Sequence, residues 1–327
     1  MYITGSSTIS HQPTFRNKGF SSELSELNMC SGVIHPDYND FIDIMSKRRM
    51  SDVLKMAVAC TMDCLEQTGL KQPDAIIVGT SMGCNHFTKN FLDKILSSNG
   101  GLLSPTSFIV STHNTIAGQI SLLLGTHNYN MTHTQNSLSF EQALMDGRLC
   151  INEGCSNILV GASDEKENVL YNMNARLNSS NIHSACGASF FILSTKKKDV
   201  ESIRLVDVES FGFIDDLTET INAFLKSNDI SASDIDLLLY SCTQQKTIDV
   251  LSELFNLNKL FDYQKISGTY FTNSAFAMHY GIDRLIQAKF PLSGERQRRI
   301  LICNNSIPEN LGLILMDTKI GQDEAHR

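Results

Sequence analysis

Apolar runs of strand length alternate along this chain with stretches in which apolar residues recur every three or four positions, the pattern of an α/β protein. Residues 53–67 (VLKMAVACTMDCLEQ) put Val53, Met56, Ala57, Cys60 and Cys64 on one helical face, and Gly69 stands where a C-cap belongs. The run Ala75-Ile-Ile-Val-Gly79 predicts a strand. The same order returns later, with a helix through Ile221 and Leu225 followed by a strand over 234–240. A second echo pairs residues 111–125 with residues 271–281, two small-residue segments that read as helices packed in a core. The repetition predicts an internal duplication into two similar αβαβα halves, 1–198 and 199–327, meeting at the charged turn Lys196-Lys197-Lys198. Chance likeness between two helices rich in Ala and Ser is the alternative.

Composition narrows the class. With 327 residues, 42% of them hydrophobic, the chain can bury a large core. A formal charge of -8 argues against nucleic acid or an anionic membrane surface as partner, since both select for basic patches. Nine cysteines are scattered without paired C-x-x-C sets at zinc spacing, so they read as reduced thiols and no metal is indicated. No basic leader followed by an apolar segment opens the chain, and no apolar run reaches the roughly 18 residues that span a bilayer. A cytoplasmic location is expected.

Five motifs stand in order. They are the segment 108–125 with its Asn114-Thr-Ile-Ala117-Gly118; a strand-to-helix handover at Asn130-Met-Thr-His-Thr-Gln-Asn-Ser137; Gly154 with Gly161-Ala-Ser-Asp-Glu165; Ala185-Cys186-Gly187-Ala188; and the strand Phe190-Phe-Ile-Leu193. Together they resemble the ketosynthase group of the thiolase fold, particularly the ketosynthase-like and chain-length-factor-like proteins of bacterial polyene pathways of the aryl-polyene and flexirubin type. The resemblance covers nearly the whole chain.

It implies a reactive centre with four parts, and each has changed. An active ketosynthase uses a cysteine thiolate, two histidines and backbone N–H groups that hold oxyanions. Ser137 occupies the cysteine position, where it reads as a helix N-cap or polar filler, with a serine nucleophile as the alternative. Ser241 and Thr269 occupy the two histidine positions, and neither hydroxyl can act as an imidazole at neutral pH. The glycine loop has become Cys303-Asn-Asn-Ser-Ile-Pro-Glu-Asn-Leu-Gly312, with Pro308 and Glu309 among its replacements. His113, His127, His133 and His279 could in principle replace the lost imidazoles, but they read as core or interface residues. Cys242, beside Ser241, is a further displaced-nucleophile candidate.

The resemblance also implies a dimer. Its pairing strand would run over about 129–134, with Phe108, His113, Asn114, Thr115, Tyr129 and His133 at the acyl tunnel and interface. The expected function is a degenerate β-ketoacyl-ACP synthase-like subunit, a chain-length factor. It would pair as a heterodimer with an active ketosynthase, shape the acyl tunnel, and meet acyl chains on the phosphopantetheine of an acyl carrier protein without a cofactor of its own. Lys47-Arg48-Arg49 is a candidate contact for that acidic carrier, or simply a solvated charge run. The alternatives are a serine-dependent acyltransferase or active 3-oxoacyl-ACP synthase, and a stand-alone carrier-protein binding module.

Overall fold

The computed structural model describes residues 1–28, 31–98, 101–166, 184–197, 201–287 and 297–320. Ten strands join in one mixed sheet: β1 (Tyr2–Ile9), β2 (Ala75–Gly79), β3 (Tyr129–His133), β4 (Asn157–Asp164), β5 (Gly187–Ser194), β6 (Glu201–Gly212), β7 (Leu237–Cys242), β8 (Leu260–Asp262), β9 (Arg299–Asn305) and β10 (Asn310–Ile320). Their spatial order is β3-β2-β4-β5-β1-β6-β10-β9-β7-β8. Adding five to each strand of the first half gives the second half read from its own edge. The pairing repeats too: two parallel contacts (β3-β2-β4; β8-β7-β9), then two antiparallel ones (β4-β5-β1; β9-β10-β6). The seam is short, with Tyr2 opposite Arg204 and Ile3 opposite Ile203. Arg204 closes it with two bonds to Asp317, at 2.8 and 2.6 Å. The charged turn expected between the halves reaches residues outside those described, beginning at Lys198.

Strand alternation builds the layers. Ile76 and Val78 face an outer core with helix α1 (Asp52–Thr68), while Ile77 faces a central core. In the second half Leu238, Leu313 and Leu315 face the opposite outer core, and Leu239, Ile314 and Met316 face the centre. Successive side chains of a strand point to opposite faces, so each sheet half is clad on both sides. Each fully buried side chain such as Phe191 or Ile77 contributes about 2 kcal/mol relative to exposure.

Besides two single-turn helices, Ile44–Lys47 and Gln264–Ser267, the other α-helices described are α2 (Asn85–Ser97), α3 (Pro105–Ile109), α4 (Thr115–Leu124), α5 (Ser139–Asn152), α6 (Leu217–Ser227), α7 (Gln245–Leu254) and α8 (Asn273–Gln287). Helices α5 and α8 form the central layer. Gly147 of α5 and Gly281 of α8 occupy the same place in each, eight residues after the helix start. A Cβ at Gly147 would stand 2.9 Å from Val160 Cγ2, and one at Gly281 would stand 2.8 Å from Met316 Cε. Glycine is what lets both helices lie close on their strands.

Three sequence readings change. By connectivity, α4 between β2 and β3 matches α7 between β7 and β8, and α5 matches α8. The echo between 111–125 and 271–281 therefore paired non-equivalent helices, because both are rich in small residues. The second-half strand begins at Leu237 rather than at 234, since Ser231 and Asp234 close a capping box that ends in a short turn. The helix over 53–67 begins at Asp52 and ends at Thr68, with Gly69 capping it at φ +68°. Among the described residues no helix is long and apolar enough to cross a membrane.

Candidate functional site

Ser137 lies in the one-turn helix Asn136–Leu138 that joins β3 to α5, after Asn136 at φ +57°. It is not a cap: the N-caps here are Gln135 for the turn and Leu138 for α5, and neither makes a side-chain cap bond. Ser139, the first residue of α5, ties the turn instead, its Oγ accepting from Gln135 N–H (2.9 Å) and donating to Asn136 O (2.7 Å). Ser137 is 1% exposed, and its Oγ has no hydrogen-bond partner among the described residues. Among the described residues no base is hydrogen-bonded to the hydroxyl, and an unassisted serine stays protonated at neutral pH.

The Ser137 backbone carbonyl accepts from Asn304 Nδ2 (2.8 Å), and the same amide donates to Glu141 Oε1 (2.9 Å). Glu141 is fully buried in the first turn of α5. Desolvation pushes its carboxyl up to about 7, opposed by the Asn304 hydrogen bond, and Oε2 has no partner among the described residues. A Cβ on Gly312 would sit 2.7 Å from Glu141 Oε1, so the last glycine of the altered loop makes room for this carboxyl. The loop itself folds back on Asn305. Asn305 Nδ2 donates to Asn310 O (2.8 Å) and Pro308 O (3.2 Å), while Thr247 Oγ1 donates to its Oδ1 (2.9 Å).

Ser241, at the end of β7, stands opposite Asn304 in the β7–β9 register, and its Oγ accepts from Gln264 Nε2 (2.6 Å). Asn304 thus links the Ser137 and Ser241 positions. Thr269 sits apart, bridged to Ser184, with its carbonyl accepting from Ala185 N–H (3.1 Å) and its buried Oγ1 without a partner among the described residues. The candidate histidines lie elsewhere. His279 packs 4.8 Å from the Phe20 ring and 6.4 Å from Phe191, and burial lowers it to about 4, so it is neutral at physiological pH. His133 Nε2 meets Asp146 Oδ2 at 2.8 Å, and His113 and His127 are exposed. Burial pushes the Cys242 thiol up to about 11, away from thiolate character. The described residues contain no group of three or more His, Cys, Asp or Glu suited to a metal ion.

Sequence reasoning missed Glu141 and gave Asp164 only as part of a motif. Asp164 is buried and accepts from Thr80 Oγ1, Ser81 N–H and Thr272 Oγ1, each at 2.9 Å, tying the ends of β2 and β4 to the head of α8. Desolvation raises its carboxyl.

The other half of the candidate site is the β3 edge. Strand β3 pairs with β2, and no other described strand covers its outer side. Tyr129 and Met131 are 43% and 40% exposed, and the two helices that pack on β3 also expose apolar side chains, Leu122 of α4 and Leu149 of α5. Phe108 and Ile109 on α3 are exposed, with the Phe108 ring 5.7 Å from Phe91. His113 and Asn114 are exposed and Thr115 is half-buried. Asp146 on α5 steadies the strand by accepting from Tyr129 OH (3.2 Å) as well as meeting His133.

This duplicated five-layer architecture, with a strand-to-helix turn at the head of a buried central helix, is that of the thiolase-like condensing enzymes. A family model described as "Beta-ketoacyl synthase, N-terminal domain" matches residues 28–204, more than half of the chain, and the chain belongs to that family. Three solved structures share the fold. The ishigamide ketosynthase/chain length factor aligns with a TM-score of 0.79 at 15% identity, covering 96% of this chain and 98% of that one. A type II PKS acyl-carrier protein in complex with its ketosynthase bound to the hexaketide gives 0.77 at 13%, with 96% and 98% covered. A ketosynthase in complex with its chain length factor from Xenorhabdus doucetiae gives 0.75 at 14%, with 97% and 98% covered. No curated protein matches.

Proposed function

We propose that this chain is a catalytically degenerate ketosynthase-like subunit, a chain-length factor. It pairs through the open β3 edge with an active ketosynthase and shapes the tunnel for acyl chains carried by an acyl carrier protein in the cytoplasm. It uses no metal or organic cofactor of its own. The observation that carries this reading is the state of Ser137, a buried hydroxyl with no hydrogen-bonded base among the described residues, where the fold would hold a thiolate. Ser241 and Thr269 supply no proton at the other two positions, and the apolar β3 face supports a protein partner over a stand-alone carrier-binding module. The partner-less Ser137 Oγ also argues against a serine acyltransferase.

The test uses the purified chain with malonyl- and acyl-loaded carrier protein. No 3-oxoacyl product is expected without the partner ketosynthase. Product from the isolated chain, abolished by Ser137→Ala, would overturn the reading.

A further inference from the structure

Three of the described cysteines are half-buried: Cys155, Cys186 and Cys242. Cys186 faces an imidazole. Its Sγ lies 3.8 Å from His11 Nε2, and its backbone N–H donates to the same nitrogen (3.4 Å). His11 Nδ1 stands 3.2 Å from the Ser31 carbonyl oxygen. A carbonyl only accepts, so Nδ1 carries the proton and the Nε2 lone pair is turned toward the thiol. Burial of the His11 ring, 7% exposed, holds that orientation. Thiol, imidazole and an acceptor that orients the imidazole are the three parts of a base-assisted nucleophile. Ala185, next in the chain, donates to the Thr269 carbonyl, which sets the thiol beside one of the altered family positions.

Charge around the thiol is mixed. Burial pushes Cys186 up to about 11, Asp52 and Glu165 add to the rise, and the backbone and charge of Lys166 oppose it. The thiol is therefore protonated at neutral pH, and attack requires a base to take its proton as the bond forms.

We infer that Cys186 and His11 form an acyl-accepting nucleophile–base pair for thioesters, separate from the Ser137 position. Sγ bonds to the thioester carbonyl carbon while its proton passes to His11 Nε2. The bond to the departing sulfur then breaks, and that thiolate leaves with the proton returned by His11. The step needs no oxidant and ends at an acyl-Cys186 thioester. The choice of a thioester rests on the function proposed above, whereas the nucleophilicity of the pair does not.

The test treats the full chain with iodoacetamide and, separately, with hexanoyl-N-acetylcysteamine, then maps modified cysteines by peptide mass. Both reagents should mark Cys186 at least about tenfold faster than Cys155 and Cys242, and His11→Gln should remove the preference without changing Tm. The wild-type rate should level off below pH 11, because transfer to the imidazole does not wait for the thiol to ionise, whereas an unassisted thiol gains about tenfold per pH unit up to its own ionisation. If His11→Gln does not fold, this pH profile decides. Cys186 labelling no faster than its half-buried neighbours, or a rate that climbs without a plateau, overturns the pair. Labelling by iodoacetamide but not by the thioester overturns the acyl-acceptor role. Co-purification with a ketosynthase reads the function proposed above independently of either result.

Discussion

The sheet has two edges built by one repeated topology, and they are finished in opposite ways. Strand β8 is three residues long and half-buried, and Phe261 stacks on Tyr280 with ring centroids 5.2 Å apart. Strand β3, its counterpart, is five residues long and leaves Tyr129 and Met131 exposed, as are Leu122 and Leu149 on the helices that pack on it. An open, apolar edge invites pairing with another chain, and proteins that stay alone blunt it with short strands or cover. The contrast supports β3 as the pairing edge of the heterodimer proposed above, on the same half as Ser137.

The most disruptive way to break this contrast is a charge on the open edge. Met131→Arg should weaken pairing with the partner ketosynthase roughly a thousandfold, about 4 kcal/mol, by burying an unpaired cation. Leu257→Arg, on the exposed turn before β8, should leave pairing unchanged. Sedimentation of the two variants with the partner checks both.

Glu141 gives the next effect. Its folded-state value of about 7 lies above the ordinary carboxyl value of about 4.3, so between these the native chain holds a proton that the unfolded chain has released. Stability from this group is full below that window and falls as pH rises through it, by roughly 4 kcal/mol in total. Glu141→Gln should therefore gain on the wild type with rising pH and level off above about 7, as read from urea midpoints across pH. His279, lowered by burial to about 4, acts in the opposite sense in both proteins and cancels in the difference.

The two central helices sharpen the comparison of halves. Gly147→Ala meets the stiff, branched Val160 and should cost about 2 kcal/mol, whereas Gly281→Ala meets the flexible end of Met316. The second should come out near neutral, because alanine gains about 1 kcal/mol of helix propensity over glycine. Thermal melts of the pair test this. Asp146→Ala, which frees Tyr129 and His133, should cost about 1 kcal/mol in stability by the same measurement.

Much of the framework was legible along the chain because it is local. Helical spacing and Gly69 marked α1, the run 75–79 marked β2, and the motif order carried the family. What failed was long-range. The equivalence of α5 with α8 follows from strand connectivity, while small-residue composition pointed to α4 instead. Ser137 read as a helix cap or polar filler, and its hydroxyl makes no cap bond because burial, set by long-range packing, leaves it without a partner among the described residues. Glu141 looks like any polar position of a helix until α5 is sandwiched and Asn304, 163 residues away, supplies its partner. The meeting of His11 with Cys186 spans 175 residues and leaves no mark in spacing.

Co-expression with the active ketosynthase of its own pathway, followed by native mass spectrometry, tests the central claim most directly. The expected result is a one-to-one heterodimer that is lost in Met131→Arg and makes 3-oxoacyl product only through the partner's cysteine. A stable homodimer that ignores both the partner and Met131→Arg would contradict it.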